Sequence, residues 1–121
     1  MPSVTGYTTE AIDDMFDGVN NILFNRQTTN YTLISSDARK YIEMDIAGAN
    51  DLTVPPNVDV PIVVGTWITV VQRGAGLTTI VPGSGVTIHS LLGLDSAGQY
   101  SEIRLLKVAT NEWYAFGDLT T

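Results

Sequence analysis

The sequence predicts a mainly β domain, an antiparallel β-sandwich or a barrel-like sheet, preceded by a short N-terminal α-helix. Residues 63–88 are rich in valine, isoleucine and threonine, which suit a pleated sheet, and glycines interrupt them at short intervals. Residues 40–46 alternate between apolar and polar side chains, as a half-buried strand does. Residues 8–25 instead place apolar side chains three and four positions apart, which is the spacing of a helix. The predicted organisation is a leader with an amphipathic helix over residues 1–30 and an antiparallel β domain over residues 31–121.

The predicted helix has a plausible start and a single apolar stripe. Thr8 is a suitable N-cap, and Glu10 places a negative charge in the first turn, where the helix dipole favours it. The side chains of the stripe are Ile12, Met15, Phe16, Val19, Ile22 and Leu23. A helix this short is marginal alone in water, so the stripe must pack on another surface. Two interpretations stay open: the stripe docks on the β domain of its own chain, or it joins subunits.

The strands are predicted from alternation and from the turns that separate them. Polar residues 26–30 are expected to connect the helix to the sheet. The predicted strands cover residues 31–35, 40–46, 52–54, 67–73, 77–81, 86–90, 102–109 and 113–116. Pro55-Pro56 cannot continue an interior ladder, Gly74-Ala75-Gly76 is interpreted as a hairpin turn, and Thr110-Asn111-Glu112 as a second turn. Short strands joined by such turns predict antiparallel pairing and not a βαβ fold.

The composition narrows the classes of function. Charged residues make up only 16% of the 121 residues, below the usual quarter or so, which favours burial against copies of the chain or a larger assembly. The net charge of −7 and six scattered cations disfavour binding to nucleic acid. The chain has no cysteine for a disulfide or a thiolate zinc site, and no apolar stretch long enough to cross a membrane.

The residue types that carry catalysis form no recognisable constellation, so we expect neither an enzyme nor a cofactor or metal site. His89 is the only histidine, and Glu43 and Asp45 read as ordinary outward-facing residues of an alternating strand. Aromatic side chains are the remaining binding candidates because their flat rings stack on sugars. The candidate glycan contacts are Trp67, Tyr100 and Tyr114, whereas Trp113 is expected in the core because of its large apolar area.

A series of short segments, taken in order, resembles a β domain that recurs in structural proteins of tailed bacteriophages. The segments are Asp37-Ala38-Arg39-Lys40-Tyr41-Ile42, Val54-Pro55-Pro56-Asn57, Gly65-Thr66-Trp67-Ile68-Thr69-Val70 with Gln72 and Gly74-Ala75-Gly76, Gly83-Ser84-Gly85-Val86-Thr87-Ile88, Glu112-Trp113-Tyr114 and Gly117-Asp118-Leu119. The resemblance covers residues 31–119 and includes tail-fibre, head-fibre and decoration-type proteins.

The resemblance implies a structural protein of the virion, assembled in the host cytoplasm, commonly as a homotrimer that contacts other capsid or tail proteins. Fibre proteins usually carry a long shaft or an enzymatic segment, and this sequence has neither. We therefore expect a small capsid-decoration, head-fibre or tail-associated accessory protein. The alternative is a carbohydrate-binding module of a tail fibre that recognises a glycan of the host surface.

Overall fold

A computed structural model describes residues 21–121, which form two β-sheets. The strands are β1 (Phe24–Gln27), β2 (Tyr31–Thr32), β3 (Tyr41–Met44), β4 (Asn50–Val54), β5 (Trp67–Gln72), β6 (Thr78–Pro82), β7 (Thr87–Ser90), β8 (Asp95–Ser96), β9 (Glu102–Ala109), β10 (Glu112–Gly117) and β11 (Leu119–Thr120). A single 3-10 turn, Ser35–Asp37, lies between β2 and β3. The predicted mainly β character is confirmed.

The chain winds between the two sheets in a solenoid-like arrangement. The larger sheet has the order β1-β3-β5-β9-β10-β7, and the smaller sheet has the order β11-β8-β6-β4-β2. Strands β1 to β6 alternate between the sheets, so each strand returns parallel to the one a full coil earlier. Antiparallel pairs appear only where β8 to β11 close the domain, within the described residues.

The expectation of antiparallel pairing throughout is therefore wrong, and the glycine turns explain why. Gly74-Ala75-Gly76 does not close a hairpin, because β5 and β6 belong to different sheets. The Gly76 backbone N–H donates to the Ile46 carbonyl oxygen at 2.9 Å, which stacks this arc on the arc of the previous coil. In the described part of the chain, only the turn at Thr110-Asn111 joins neighbouring strands of one sheet, β9 and β10.

The hydrophobic core lies between the two sheets. Ile42 and Met44 of β3, expected on the buried face, are fully buried, and Trp113 is 1% exposed, as predicted. The other buried apolar side chains are Leu33, Leu52, Val54, Ile62, Ile68, Val70, Ile80, Val86, Ile103, Leu105, Ala115 and Leu119. Both sheets contribute side chains to this single cluster.

The first coil has a polar interior. The fully buried Asp37 carboxylate accepts hydrogen bonds from Asn25 Nδ2 at 2.8 Å, from the Tyr31 hydroxyl at 2.7 Å and from the Ile34 backbone N–H at 2.9 Å. Burial, and then the hydrogen bond to Asp37, raise the pKa of Tyr31 to about 12. This hydrogen-bonded cluster links β1, β2 and the 3-10 turn through one buried carboxylate.

The helix expected over residues 8–25 is wrong at its C-terminal end. Its first part lies outside the described residues, but Phe24–Gln27 is a strand that pairs in parallel with β3. The inward side chains of this strand, Asn25 and Gln27, are hydrogen-bonded to one another at 2.7 Å. Pairing with a strand distant in sequence thus replaces the helix predicted for Phe24 and Asn25.

Candidate functional site

The outward surface of the larger sheet, which we call the aromatic face, gathers aromatic side chains from five strands. The alternation of each strand buries one set of side chains and presents the other set outward. The aromatic face comprises Phe24, Tyr41, Trp67, Thr69, His89, Arg104, Leu106, Tyr114 and Phe116. Exposed apolar surface gathered in this way is typical of an interaction site.

One row of the aromatic face crosses four strands. Trp67 pairs with Leu106, Leu106 with Tyr114, and Tyr114 with His89. Trp67 and Tyr114 are two strands apart, which corresponds to about 10 Å between their backbones. His89 Nε2 lies 2.8 Å from Glu112 Oε2, and the His89 and Tyr114 rings meet edge to face with centroids 5.9 Å apart.

The next row places a cation among the rings. Thr69 pairs with both Tyr41 and Arg104, and Arg104 pairs with Phe116. The Arg104 guanidinium lies 5.9 Å from the centroid of the Trp67 ring, at cation–π distance. The Phe116 ring meets the Tyr114 ring edge to face at 5.9 Å. The two rows therefore form one continuous surface.

A concavity of about 400 Å³ opens at the edge of this surface, and it is lined by Glu102, Arg104, Phe116, Gly117 and Asp118. The Tyr41 hydroxyl donates to Glu102 Oε1 at 2.8 Å. This hydrogen bond, and then burial, raise the pKa of Tyr41, so its hydroxyl stays protonated and holds the Glu102 carboxylate in place. The Glu102 backbone N–H donates to Asp118 Oδ2 at 3.1 Å, which positions the second carboxylate.

Two of the three predicted glycan contacts lie together, and the third does not. Trp67 and Tyr114 share a row of the aromatic face. Tyr100, 69% exposed and with a positive φ of 68°, lines a different concavity with Asp45 and Arg73. That concavity shares none of its lining residues with the one beside Phe116.

The predicted subunit-contact residues fall into two groups. Ile12, Met15, Phe16 and Val19 lie outside the described residues. Ile22 and Leu23 immediately precede β1 and are 51% and 49% exposed, and Phe24 follows at 63%. Three successive apolar side chains, each between 49% and 63% exposed, thus lie at the edge of the larger sheet.

The carboxylates considered for catalysis have structural partners. Glu43 lies 3.4 Å from Arg26 and 3.6 Å from Arg73, and Asp45 lies 4.0 Å from Arg73. Within residues 21–121, no three histidine or acidic side chains are grouped closely enough to hold a metal ion. The same part of the chain contains no helix of sufficient length and apolarity to span a membrane.

Sequence reasoning missed Arg104, Phe116 and Glu102 as members of the site. The alternation of β9 and β10 was a usable signal, since it places these three residues opposite the buried Ile103, Leu105 and Ala115. The sequence did not reveal the pairing of β9 with both β5 and β10, which brings Arg104 beside Trp67 and Phe116.

No family model matches this chain, and neither the curated proteins nor the solved structures give a significant match.

Proposed function

We propose that this protein is a non-enzymatic structural component of a tailed-bacteriophage virion, a small homo-oligomeric subunit that decorates the capsid, forms part of a head fibre or accompanies the tail. The trimeric state, the virion location and the capsid or tail partners come from the resemblance in sequence. The observation that supports association is the exposed apolar run Ile22-Leu23-Phe24 at the edge strand β1.

An edge strand offers unpaired backbone groups as well as apolar surface. Strand β1 pairs with β3 on one side, and in residues 21–121 no strand pairs with its other side. Full burial of an exposed apolar side chain of this size contributes about 1.5 to 3 kcal/mol, and covering three that are about half exposed contributes roughly half of that for each. The adjoining residues 1–20 carry the rest of the predicted apolar stripe, which would extend the same contact.

Oligomeric state and location test this proposal. Native mass spectrometry of the full chain should give the mass of three chains, and Phe24→Glu should shift the population towards monomer. Val58→Glu is the matched control, because Val58 is apolar and 88% exposed but lies in the connection between β4 and β5. A monomeric wild type, or a Phe24→Glu protein that assembles like wild type, would contradict the proposed interface.

The particle partner is tested by mixing the purified protein separately with undecorated capsids and with isolated tails of a tailed phage. Co-sedimentation with one of them locates the protein on the virion. A double variant, Phe16→Asp with Val19→Asp, should lose assembly or particle binding while keeping the circular dichroism of the β domain. If the double variant still assembles and still binds particles, docking of the stripe on its own chain is favoured.

A second candidate function, recognition of a host-surface carbohydrate, is favoured by the aromatic face. The exposed Tyr114 ring and the partly buried Trp67 ring lie in one row, with Arg104 over the Trp67 ring and Glu102 in the neighbouring concavity to hydrogen-bond hydroxyl groups. Sugar sites combine such rings with a few polar groups that fix orientation. Saturable binding of the full chain to particular members of a glycan array would support this function, and a blank array would exclude it for the glycans displayed.

A further inference from the structure

The concavity beside Phe116 combines a flat apolar wall with charged groups that can both donate and accept hydrogen bonds. The Phe116 side chain is 53% exposed although it lies directly across from Arg104 in the β9–β10 ladder. Arg104 offers only donors, and the carboxylates of Glu102 and Asp118 offer only acceptors. A ligand that fits all three must itself carry both donors and acceptors, together with an apolar face.

The cation of this concavity is available to a ligand. Among the described residues, none of the ion pairs includes Arg104. Its guanidinium lies 5.9 Å from the centroid of the Trp67 ring and close to the Tyr41 hydroxyl, and these contacts use only part of its five N–H donors. One Glu102 oxygen is occupied by the Tyr41 hydroxyl, which fixes the carboxylate and leaves the other oxygen free for a ligand.

We propose that this concavity binds one neutral pyranose unit of a glycan, with the Phe116 ring against the apolar face of the sugar. Arg104 donates to ring or hydroxyl oxygens, and Glu102 and Asp118 accept from hydroxyl groups. The volume of about 400 Å³ lies in the range of small-ligand sites. Tyr114, whose ring meets that of Phe116, receives the next sugar unit.

Charge selects a neutral ligand over an acidic one. Two carboxylates and one guanidinium line the concavity, and the chain has a net charge of −7, so a sialylated or uronate-containing glycan would be repelled. This inference rests on the second candidate function, recognition of a carbohydrate, and assigns that function a site and a ligand class.

The experiment uses the full chain on an array that displays neutral hexose and N-acetylhexosamine oligomers beside sialylated and uronate-containing glycans. For the best neutral glycan, titration calorimetry should show that Phe116→Ala and Arg104→Met each weaken binding by about tenfold or more, equivalent to about 1.4 kcal/mol. Tyr100→Ala is the matched control, an exposed aromatic outside the concavity, and it should bind within about twofold of wild type.

Each other outcome contradicts a defined part of the inference. If wild type binds no glycan of the array, the carbohydrate function and the site fail together. If wild type binds but both variants bind equally well, the function stands and the site is wrong. A preference for acidic glycans overturns the ligand class. If Phe116→Ala loses its cooperative melting transition, the affinity of Arg104→Met alone tests the site. The Arg104 side chain is exposed and not part of the core, so this variant should stay folded.

Discussion

The two faces of the larger sheet place the same residue types in different environments. In β10, Trp113 and Ala115 point into the core while Tyr114 and Phe116 point outward. Trp113 is 1% exposed, and Phe116, three residues further on, is 53% exposed. Aromatic residues of one strand are thus divided between burial in the core and exposure on the outer face.

The inner face also buries a charged side chain, that of Lys107. Lys107 points inward from β9 and is buried, yet no described carboxylate forms an ion pair with it. Its Nζ donates to Asn57 Oδ1 at 2.7 Å and to the Ile62 carbonyl oxygen at 2.6 Å, and it lies 6.0 Å from the centroid of the Trp113 ring. Burial lowers the pKa of Lys107. The long connection between β4 and β5 is therefore anchored to the inner face by a desolvated ammonium group.

The largest expected difference between the faces concerns adjacent aromatics. Trp113→Ala should lower the free energy of unfolding by about 3 to 5 kcal/mol, because it leaves a cavity between the sheets. Tyr114→Ala should cost about 1 kcal/mol, since it removes only edge-to-face contacts with His89 and Phe116. Urea unfolding followed by circular dichroism measures both. Equal losses in the free energy of unfolding for the two variants would mean that the two faces contribute equally to stability at these positions.

A second pair of variants compares two glycines in the arcs that connect the sheets. A Cβ at Gly76 would overlap the Gly48 carbonyl of the neighbouring coil, whereas a Cβ at Gly48 would meet nothing within 4 Å. Gly76→Ala should therefore cost about 1 to 3 kcal/mol through a forced backbone shift. Gly48→Ala should change the free energy of unfolding by about 0.5 kcal/mol or less. Similar melting temperatures for the two variants would mean that the coils are not stacked at this point.

The smallest expected effect is a dependence of the free energy of unfolding on pH, caused by the buried Lys107. The pKa of Lys107 is lower in the folded protein than the ordinary lysine value of 10.5, so the unfolded chain binds more protons just below that pH. The free energy of unfolding should consequently rise as the pH approaches 10. Above pH 10.0 the raised pKa of Tyr31 has the opposite effect, because stability held by the neutral phenol is lost as the pH rises through about 12.

Denaturant titrations at a series of pH values below 10.0 measure this rise, and Lys107→Met should abolish it. The methionine keeps much of the side-chain volume and carries no titratable group. A rise of the same size in Lys107→Met would show that another group causes it.

Several features of the fold were predictable because their causes are local. The alternation in β3 correctly placed Ile42 and Met44 in the core, and Pro55-Pro56 correctly marked the end of β4. The turn at Thr110-Asn111 was correctly read as reversing the chain between β9 and β10. In each case the deciding interaction involves residues within a few positions of one another.

The site was predictable only in part. Trp67 and Tyr114 were chosen for their rings alone, and the sheet places them in one row. Tyr100 was chosen on the same grounds and lies at a separate concavity. Arg104 contacts Trp67 on one neighbouring strand and pairs with Phe116 on the other. No local pattern in the sequence links these three residues.

The sequence by itself determined the β character of the chain, because branched side chains and period-two alternation act residue by residue. Tertiary structure alone decided the direction of pairing, since a glycine arc such as Gly74-Ala75-Gly76 permits either a hairpin or a passage to the opposite sheet. Tertiary structure also converted the end of an apparent helix into β1, because backbone hydrogen bonds to β3 and buried polar contacts of Asn25 outweigh a local preference for helix. The aromatic face exists for the same reason: its members are distant in sequence, and only the order of strands in the larger sheet brings them together.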